Sequence, residues 1–225
     1  MIGRFAIIGD LHGRVDKLDL LLMEANVSDN RTLIFVGDYI NRGPDSCAVL
    51  DRLIELSVML GDRAIFLRGN HEQSLLNWLA GGLRDSFLRN GGLSTVRSYT
   101  DDRSEGVLNR FIRTFPDAHR EFIDNTQLYY ENDNILVSHA GFDPLNFDRR
   151  DAEAMVFGQR STPLLAENAT KLLPAGGIAV FGHYVQDDCR PLIEKPLYCI
   201  DTGCGTLPDG RLTALLLPEG RTLQF

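Results

Sequence analysis

Apolar positions along the chain fall into short runs that stop abruptly at polar clusters. Runs at about 4–8, 32–36, 64–67, 135–138, 178–181, 197–200, 212–217 and 222–225 carry β-branched or aromatic residues and are flanked by Gly, Asp, Asn or Pro. That is the pattern of buried strands. Between the early runs the period becomes helical. Val15, Leu18, Leu21, Leu22 and Ala25 share one face of 14–25, and Val49, Leu50, Leu53, Ile54 and Leu56 share one face of 46–60. Pro44 and Asp45 precede the second helix as start signals, with Ser46 a further candidate cap.

The first half therefore reads strand–helix–strand–helix–strand, the order of parallel βαβ units. Asp10 and Asp38 stand 28 positions apart, and Asp38 and Asn70 stand 32 apart, so each interval is about one unit. Polar clusters ending parallel strands share one sheet edge, where open α/β sheets bind ligands. Residues 72–134 read as mostly helical, with 90–102 as a loop or turn and no second sheet, so they form an insertion over that edge. After residue 174 the strands are closely spaced, and Pro218-Glu219-Gly220 marks a hairpin. These patterns predict one α+β domain over 1–225 with mixed sheets.

Composition narrows the function classes. The 225 residues are 44% hydrophobic and 24% charged, the balance of an ordinary soluble globular protein. A net charge of −8 argues against a general nucleic-acid surface or an anionic-membrane surface. No signal-peptide core and no apolar run near ~20 residues stands in the sequence, so the expected location is the cytoplasm and no membrane partner is expected. Cys47, Cys189, Cys199 and Cys204 form no C-x-x-C pair, which predicts reduced cysteines in or near the core rather than a zinc site.

The polar clusters carry the chemistry. If Asp10 and His12 continue the strand geometry, a carboxylate and an imidazole face one point, a donor pair suited to manganese, iron or zinc. Asp38 leaves the neighbouring strand at the same edge and could bridge two ions. Asn70 and His71 are adjacent, so one can bind metal while the other faces substrate. His139 and His183 follow later strands, whereas His119 sits in a polar helical pattern and reads as surface. A single Gly-Asp after a strand is usually turn chemistry. Five such clusters at strand ends are not explained that way.

The segments "GDLHG" (9–13), "GDYINRG" (37–43), "RGNHE" (68–72), "SHAG" (138–141) and "FGH" (181–183) resemble, in order, the motifs of the phosphoprotein phosphatases of the metallophosphoesterase superfamily. The insertion and the ending "CIDTGCGTLPDGRLTALLLPEG" resemble its compact bacterial and phage branch. The resemblance implies two mixed β-sheets packed in a sandwich with helices outside. It implies two divalent transition-metal ions, manganese foremost and iron or zinc as alternatives. Asp10, His12 and Asp38 would hold the first, and Asp38, Asn70, His139 and His183 the second. His71 would act as general acid, and Arg42, with Arg68 beside it, would contact phosphate.

Three positions depart from the family pattern. Asn41 stands where an aspartate usually supports the acid histidine, so it can orient His71 but brings no charge. The second phosphate arginine falls on Gln159 in strict register or on Arg160 with a shift of one. Tyr184 stands where a threonine is usual. The leading expectation is a metal-dependent phosphomonoesterase acting on phosphorylated protein or a small phosphoester, namely a serine/threonine phosphatase. The alternatives are a dinucleoside polyphosphate hydrolase of the diadenosine tetraphosphate type and a non-enzymatic binding protein.

Overall fold

Alternate side chains of the short strands go to different layers, and this builds the fold. In β1 (Phe5–Ile8), Phe5 and Ile7 meet Ile34 of β2 (Thr32–Phe35), together with Ile135 and Val137 of β5 (Ile135–Ser138), in a central apolar layer. Ile178 and Val180 of β6 (Ile178–Phe181) and Leu215 and Leu217 of β9 (Thr213–Leu217) complete that layer. The intervening residues Ala6, Ile8, Leu33 and Phe35 face outward under helices α1 (Val15–Leu22) and α2 (Ser46–Leu60). On the opposite side Leu136, Ala179 and Phe181 pack with Phe142, Met155 and α8 (Thr162–Leu172). Each fully buried aliphatic side chain contributes roughly 1.5–3 kcal/mol, so three such layers fix the register more firmly than local propensity.

The computed structural model describes residues 3–24, 27, 30–100, 106–158 and 162–225. Its two mixed sheets have five strands each. The first runs β10-β9-β1-β2-β3, with β3 at Ala64–Phe66 and β10 at Arg221–Gln224. The second runs β4-β5-β6-β8-β7, with β4 at Tyr129–Asn132, β7 at Leu192–Glu194 and β8 at Leu197–Cys199. β1, β2 and β3 are mutually parallel, as are β5, β6 and β8. This is the helix-flanked sandwich that the motifs imply.

β4 and β7 escape the sequence pattern because both are edge strands with half-buried or exposed side chains and no apolar alternation. The Pro218-Glu219-Gly220 turn does join a hairpin, with Arg221 paired to Leu216. Helix α2 starts as expected, with the Asp45 carboxylate accepting from Ala48 N at 2.9 Å.

Residues 70–124 hold α3 (Asn70–Leu79), α4 (Arg84–Phe87), α5 (Leu93–Ser98), α6 (Val107–Thr114) and α7 (Asp117–Asp124). The expected loop at 90–102 is thus corrected. After a π-helical turn broken at Gly91, residues 93–98 are helical. Six residues are too few for an autonomous helix. Tertiary contacts of the buried Thr95 and Val96 hold it.

Candidate metal centre

Five strands end at one edge and deliver polar side chains there. Asp10 and His12 follow β1, Asp38 follows β2, Asn70 opens α3 after β3, His139 follows β5 and His183 follows β6. The sequence-expected ligands therefore meet. His12, Asp38 and His71 place ligand atoms within 4.8 Å of one another, and so do Asp38, His139 and His183. Asp38 belongs to both groups. Asn70 Oδ1 lies 3.0 Å from His139 Nε2 and 3.1 Å from His183 Nδ1. Asp10 lies outside both groups but borders the second, its Oδ2 accepting from His183 N at 3.2 Å. A Cβ on Gly182 would collide with Asp10 Oδ1, so that position needs glycine.

The backbone is bent to make this possible. His12, Asp38, Asn41, Arg42 and His183 all have φ between 41° and 71°. Left-handed non-glycine residues cost of order 1–3 kcal/mol each and concentrate at functional sites. Glu72 supports the bend at Asp38. Its buried carboxylate accepts from Asp38 N, Tyr39 N, Ile40 N and Gly69 N at 2.9–3.2 Å.

Hydrogen bonding fixes which ring nitrogens face inward. His12 Nδ1 donates to Ile40 O at 2.9 Å and His139 Nδ1 to Val36 O at 3.1 Å, leaving both Nε2 lone pairs directed at Asp38. Burial, reinforced by the Arg42 cation, pushes His12 down to about 3 and His183 down to about 4. Burial also holds His139 well below the usual histidine range. These rings are neutral donors. The carboxylates move the other way. Burial, then repulsion from Asp201 and Asp38, raises Asp10, while burial and Glu72 raise Asp38.

Asp10 Oδ1 is also the one buried side-chain oxygen or nitrogen without a hydrogen-bond partner among the described residues. Neutral imidazoles, crowded carboxylates and an unpartnered carboxylate oxygen are what a cationic ligand would satisfy. The residues present therefore fit divalent metal.

The remaining expected residues divide. Arg42 reaches the centre, its Nη1 3.1 Å from His12 Nε2 and donating to Thr206 Oγ1 at 2.8 Å. Asn41 meets His71, with Nδ2 2.8 Å from Nδ1. Arg68 does not reach it. Its guanidinium bonds Thr126 Oγ1, Gln73 Oε1 and the carbonyls of Ile123, Asp124 and Thr126, bracing β3 against the end of α7. Gln159 and Arg160 lie outside the described residues. His119 is not at the surface. It is 3% exposed and bridges Tyr99 Oη (2.6 Å) and Asp51 Oδ1 (2.9 Å).

Sequence reasoning missed Asp201, a buried carboxylate facing Asp10 and raised by burial to about 6. The signal was present, since Asp201 follows β8 and precedes Gly203, the same strand-then-acid syntax as Asp10.

The architecture and the cluster together define a metal-dependent phosphoesterase. The calcineurin-like phosphoesterase model matches residues 3–209, and the chain belongs to that family. It is 30% identical over 237 residues to the bis(5'-nucleosyl)-tetraphosphatase PrpE (asymmetrical) of Halalkalibacterium halodurans, covering 96% of this chain and 91% of the relative. It is 27% identical over 238 residues to the protein of that name from Oceanobacillus iheyensis, covering 95% and 88%. Among solved structures, a candidate diadenosine tetraphosphatase superposes with a TM-score of 0.66 at 24% identity, covering 99% of this chain and 93% of that one. A serine/threonine phosphatase from Saccharomyces cerevisiae superposes at 0.61 with 18% identity, covering 99% and 79%. Both likenesses are of fold. Among the described residues no helix is long and apolar enough to cross a membrane.

Proposed function

We propose that the chain is a dinucleoside polyphosphate hydrolase that cleaves a phosphoanhydride bond asymmetrically. The observation that carries this reading is the partner of His71. An amide, not a carboxylate, stands against its Nδ1. A protonated imidazolium gains no ion-pair support there, so the site is poorly equipped to deliver a full proton to a leaving alkoxide. A phosphoanhydride does not ask for one. Its leaving group is a nucleotide phosphate, whose second pKa is about 6. The tetraphosphatase names of the relatives support the same choice, and they favour it over the phosphoprotein substrate that the motifs alone put first.

In this reading residues 1–225 act as one domain, with the helical segment at about 72–134 closing over the sheet edge. Asp10, His12 and Asp38 would hold one divalent ion, and Asp38, Asn70, His139 and His183 a second. When bound, two such ions supply Lewis-acid charge and activate water for in-line attack at phosphorus. Arg42 gives planar, always-charged donors to phosphate oxygens. His71 offers Nε2–H to the departing phosphate oxygen as a hydrogen bond rather than as a transferred proton.

The test is product analysis with diadenosine tetraphosphate, p-nitrophenyl phosphate and a phosphoserine peptide under one metal condition. The expected result is ATP plus AMP, with kcat/KM for the tetraphosphate far above that for the peptide. Preferred dephosphorylation of the peptide would overturn the reading.

A further inference from the structure

The orientation of Asn41 decides which proton His71 carries, and the helical segment over the site sets that orientation. Ser46, at the start of α2, and Thr95, in α5, are both fully buried. Asn41 N donates to both hydroxyl oxygens, at 3.1 Å to Ser46 and 2.9 Å to Thr95. Ser46 Oγ lies 2.9 Å from Thr95 Oγ1. Thr95 Oγ1 is 2.7 Å from Asn41 Oδ1, and Asn41 Nδ2 is 2.8 Å from His71 Nδ1.

Counting hydrogens gives the chain a direction. Among the described residues the Ser46 hydroxyl meets two groups, the Asn41 N–H and Thr95 Oγ1. The first is a donor, so the Ser46 proton must go to Thr95. Thr95 then has Asn41 Oδ1 as its acceptor. With Oδ1 so engaged, Asn41 turns Nδ2 to His71, whose Nδ1 must accept. The His71 proton therefore sits on Nε2, the nitrogen 3.6 Å from Asp38 Oδ2 and facing the metal cluster. Run backwards, the chain would leave the buried Ser46 proton without an acceptor, an arrangement that burial penalises. Gly91 closes the same mould from behind. Its carbonyl accepts from Arg42 N, and a Cβ there would press on Arg42.

We propose that Ser46 and Thr95 are positioning residues that orient Asn41 so that the ring proton of His71 sits on Nε2, and that this tautomer selects leaving groups needing a hydrogen bond rather than a proton. The selectivity half rests on the phosphoanhydride reading above; the tautomer half does not. The chain belongs to two elements that share no strand with His71. Ordering of α5 against α2 is thus translated into the protonation pattern of the reacting edge.

The experiment uses the full chain loaded with diamagnetic zinc and labelled with 15N-histidine, as wild type, Thr95→Val and Thr95→Ser. Long-range proton–nitrogen spectra report the His71 tautomer directly. Wild type should show unprotonated Nδ1 and protonated Nε2. Thr95→Val frees the Asn41 amide to present either end, so the tautomers should mix, while Thr95→Ser restores the wild-type signature. In parallel, the ratio of kcat/KM for diadenosine tetraphosphate to that for a phosphoserine peptide should fall about tenfold in Thr95→Val and recover in Thr95→Ser. A merely structural role for Thr95 would lower both substrates together with no tautomer change, and that result overturns the proposal, as does an Nδ1–H signal in the wild type. If wild type shows the Nε2–H tautomer but no tetraphosphate hydrolysis, the substrate reading and the selectivity half fail, and the tautomer lock stands. Ser46→Ala, which removes the first donor, gives an independent check. It should mix the tautomers as Thr95→Val does, and an unchanged His71 signature there removes Ser46 from the chain.

Discussion

Replacing Asn41 by aspartate should convert the site toward alkyl phosphates. The substitution is nearly isosteric and places a carboxylate oxygen where Nδ2 now lies, 2.8 Å from His71 Nδ1. At an effective dielectric near 20, two unit charges at that separation attract by about 6 kcal/mol. Much of this is offset, because Asn41 is fully buried and its replacement must be desolvated. The net effect usual for a histidine beside one carboxylate is a pKa rise of about 1–3 units, or about 1.4–4 kcal/mol in favour of imidazolium.

The sign follows directly. A raised histidine pKa keeps the imidazolium populated below the new value and loses it only as pH climbs through it. Turnover of a phosphoserine peptide should therefore rise about tenfold or more, and the basic limb of its kcat–pH profile should move up by about 1–3 units. Diadenosine tetraphosphate, whose leaving phosphate needs no proton, should change by no more than about threefold. The assay is kcat against pH for both variants on both substrates, with metal content measured on the same preparations. A peptide profile that stays put while metal content is unchanged would refute the charge argument. Equal gains on both substrates would refute the leaving-group argument.

Asp38→Ala removes the oxygens shared by both ligand groups. Elemental analysis after manganese loading should fall from about two ions per chain, with turnover down by at least ~10²–10³-fold; two retained ions would exclude a bridging role. Manganese should raise the melting temperature of chelator-treated protein, with about 2.7 kcal/mol of stabilisation at a hundredfold excess over Kd, and no shift by scanning calorimetry would mean that the cluster binds no metal. Glu72→Gln sets an amide among four backbone donors, so urea unfolding should lose roughly 2–4 kcal/mol. His119→Ala breaks the bridge between Tyr99 and Asp51 and should cost about 1–3 kcal/mol in the same assay, with a ligand set that still loads two ions.

Part of the candidate metal cluster is legible because several of its residues obey one local rule: an apolar run, then a glycine, then a side chain of ligand type. Asp10, Asp38 and His183 can each be found by that syntax alone, whereas Ser138 precedes His139 and its glycine, Gly141, comes after it. Asp201 departs from it, because Ile200 precedes it directly and its glycine, Gly203, follows. Thr95, Ser46 and Glu72 obey no such rule. Each acts through a partner more than 30 positions away or through backbone groups, and a threonine in a short helix looks like any other. Arg68 misleads for the opposite reason. It sits inside a motif-like segment, yet the carbonyls of Ile123, Asp124 and Thr126 at the end of α7 hold its guanidinium away from the centre. His119 misleads because a polar sequence neighbourhood does not reveal that Tyr99 and Asp51 enclose it.

The strand order of the first sheet also has a temporal side. β1 is paired on one flank by β2, a near neighbour in sequence, and on the other by β9, with Phe5 opposite Leu217 and Ile8 opposite Ala214. During synthesis the flank of β1 that meets β9 must wait for residues 213–217 to emerge. Until then its backbone donors and acceptors form an open apolar edge, the kind that recruits foreign strands. Closing a loop of this length is also entropically slow. A chain interrupted just before residue 213 would thus carry all six candidate ligands yet lack the strand that seals β1. Nascent or truncated copies should be inactive and prone to aggregation, and β9 and β10 together should be the last strands to gain protection in pulsed hydrogen exchange.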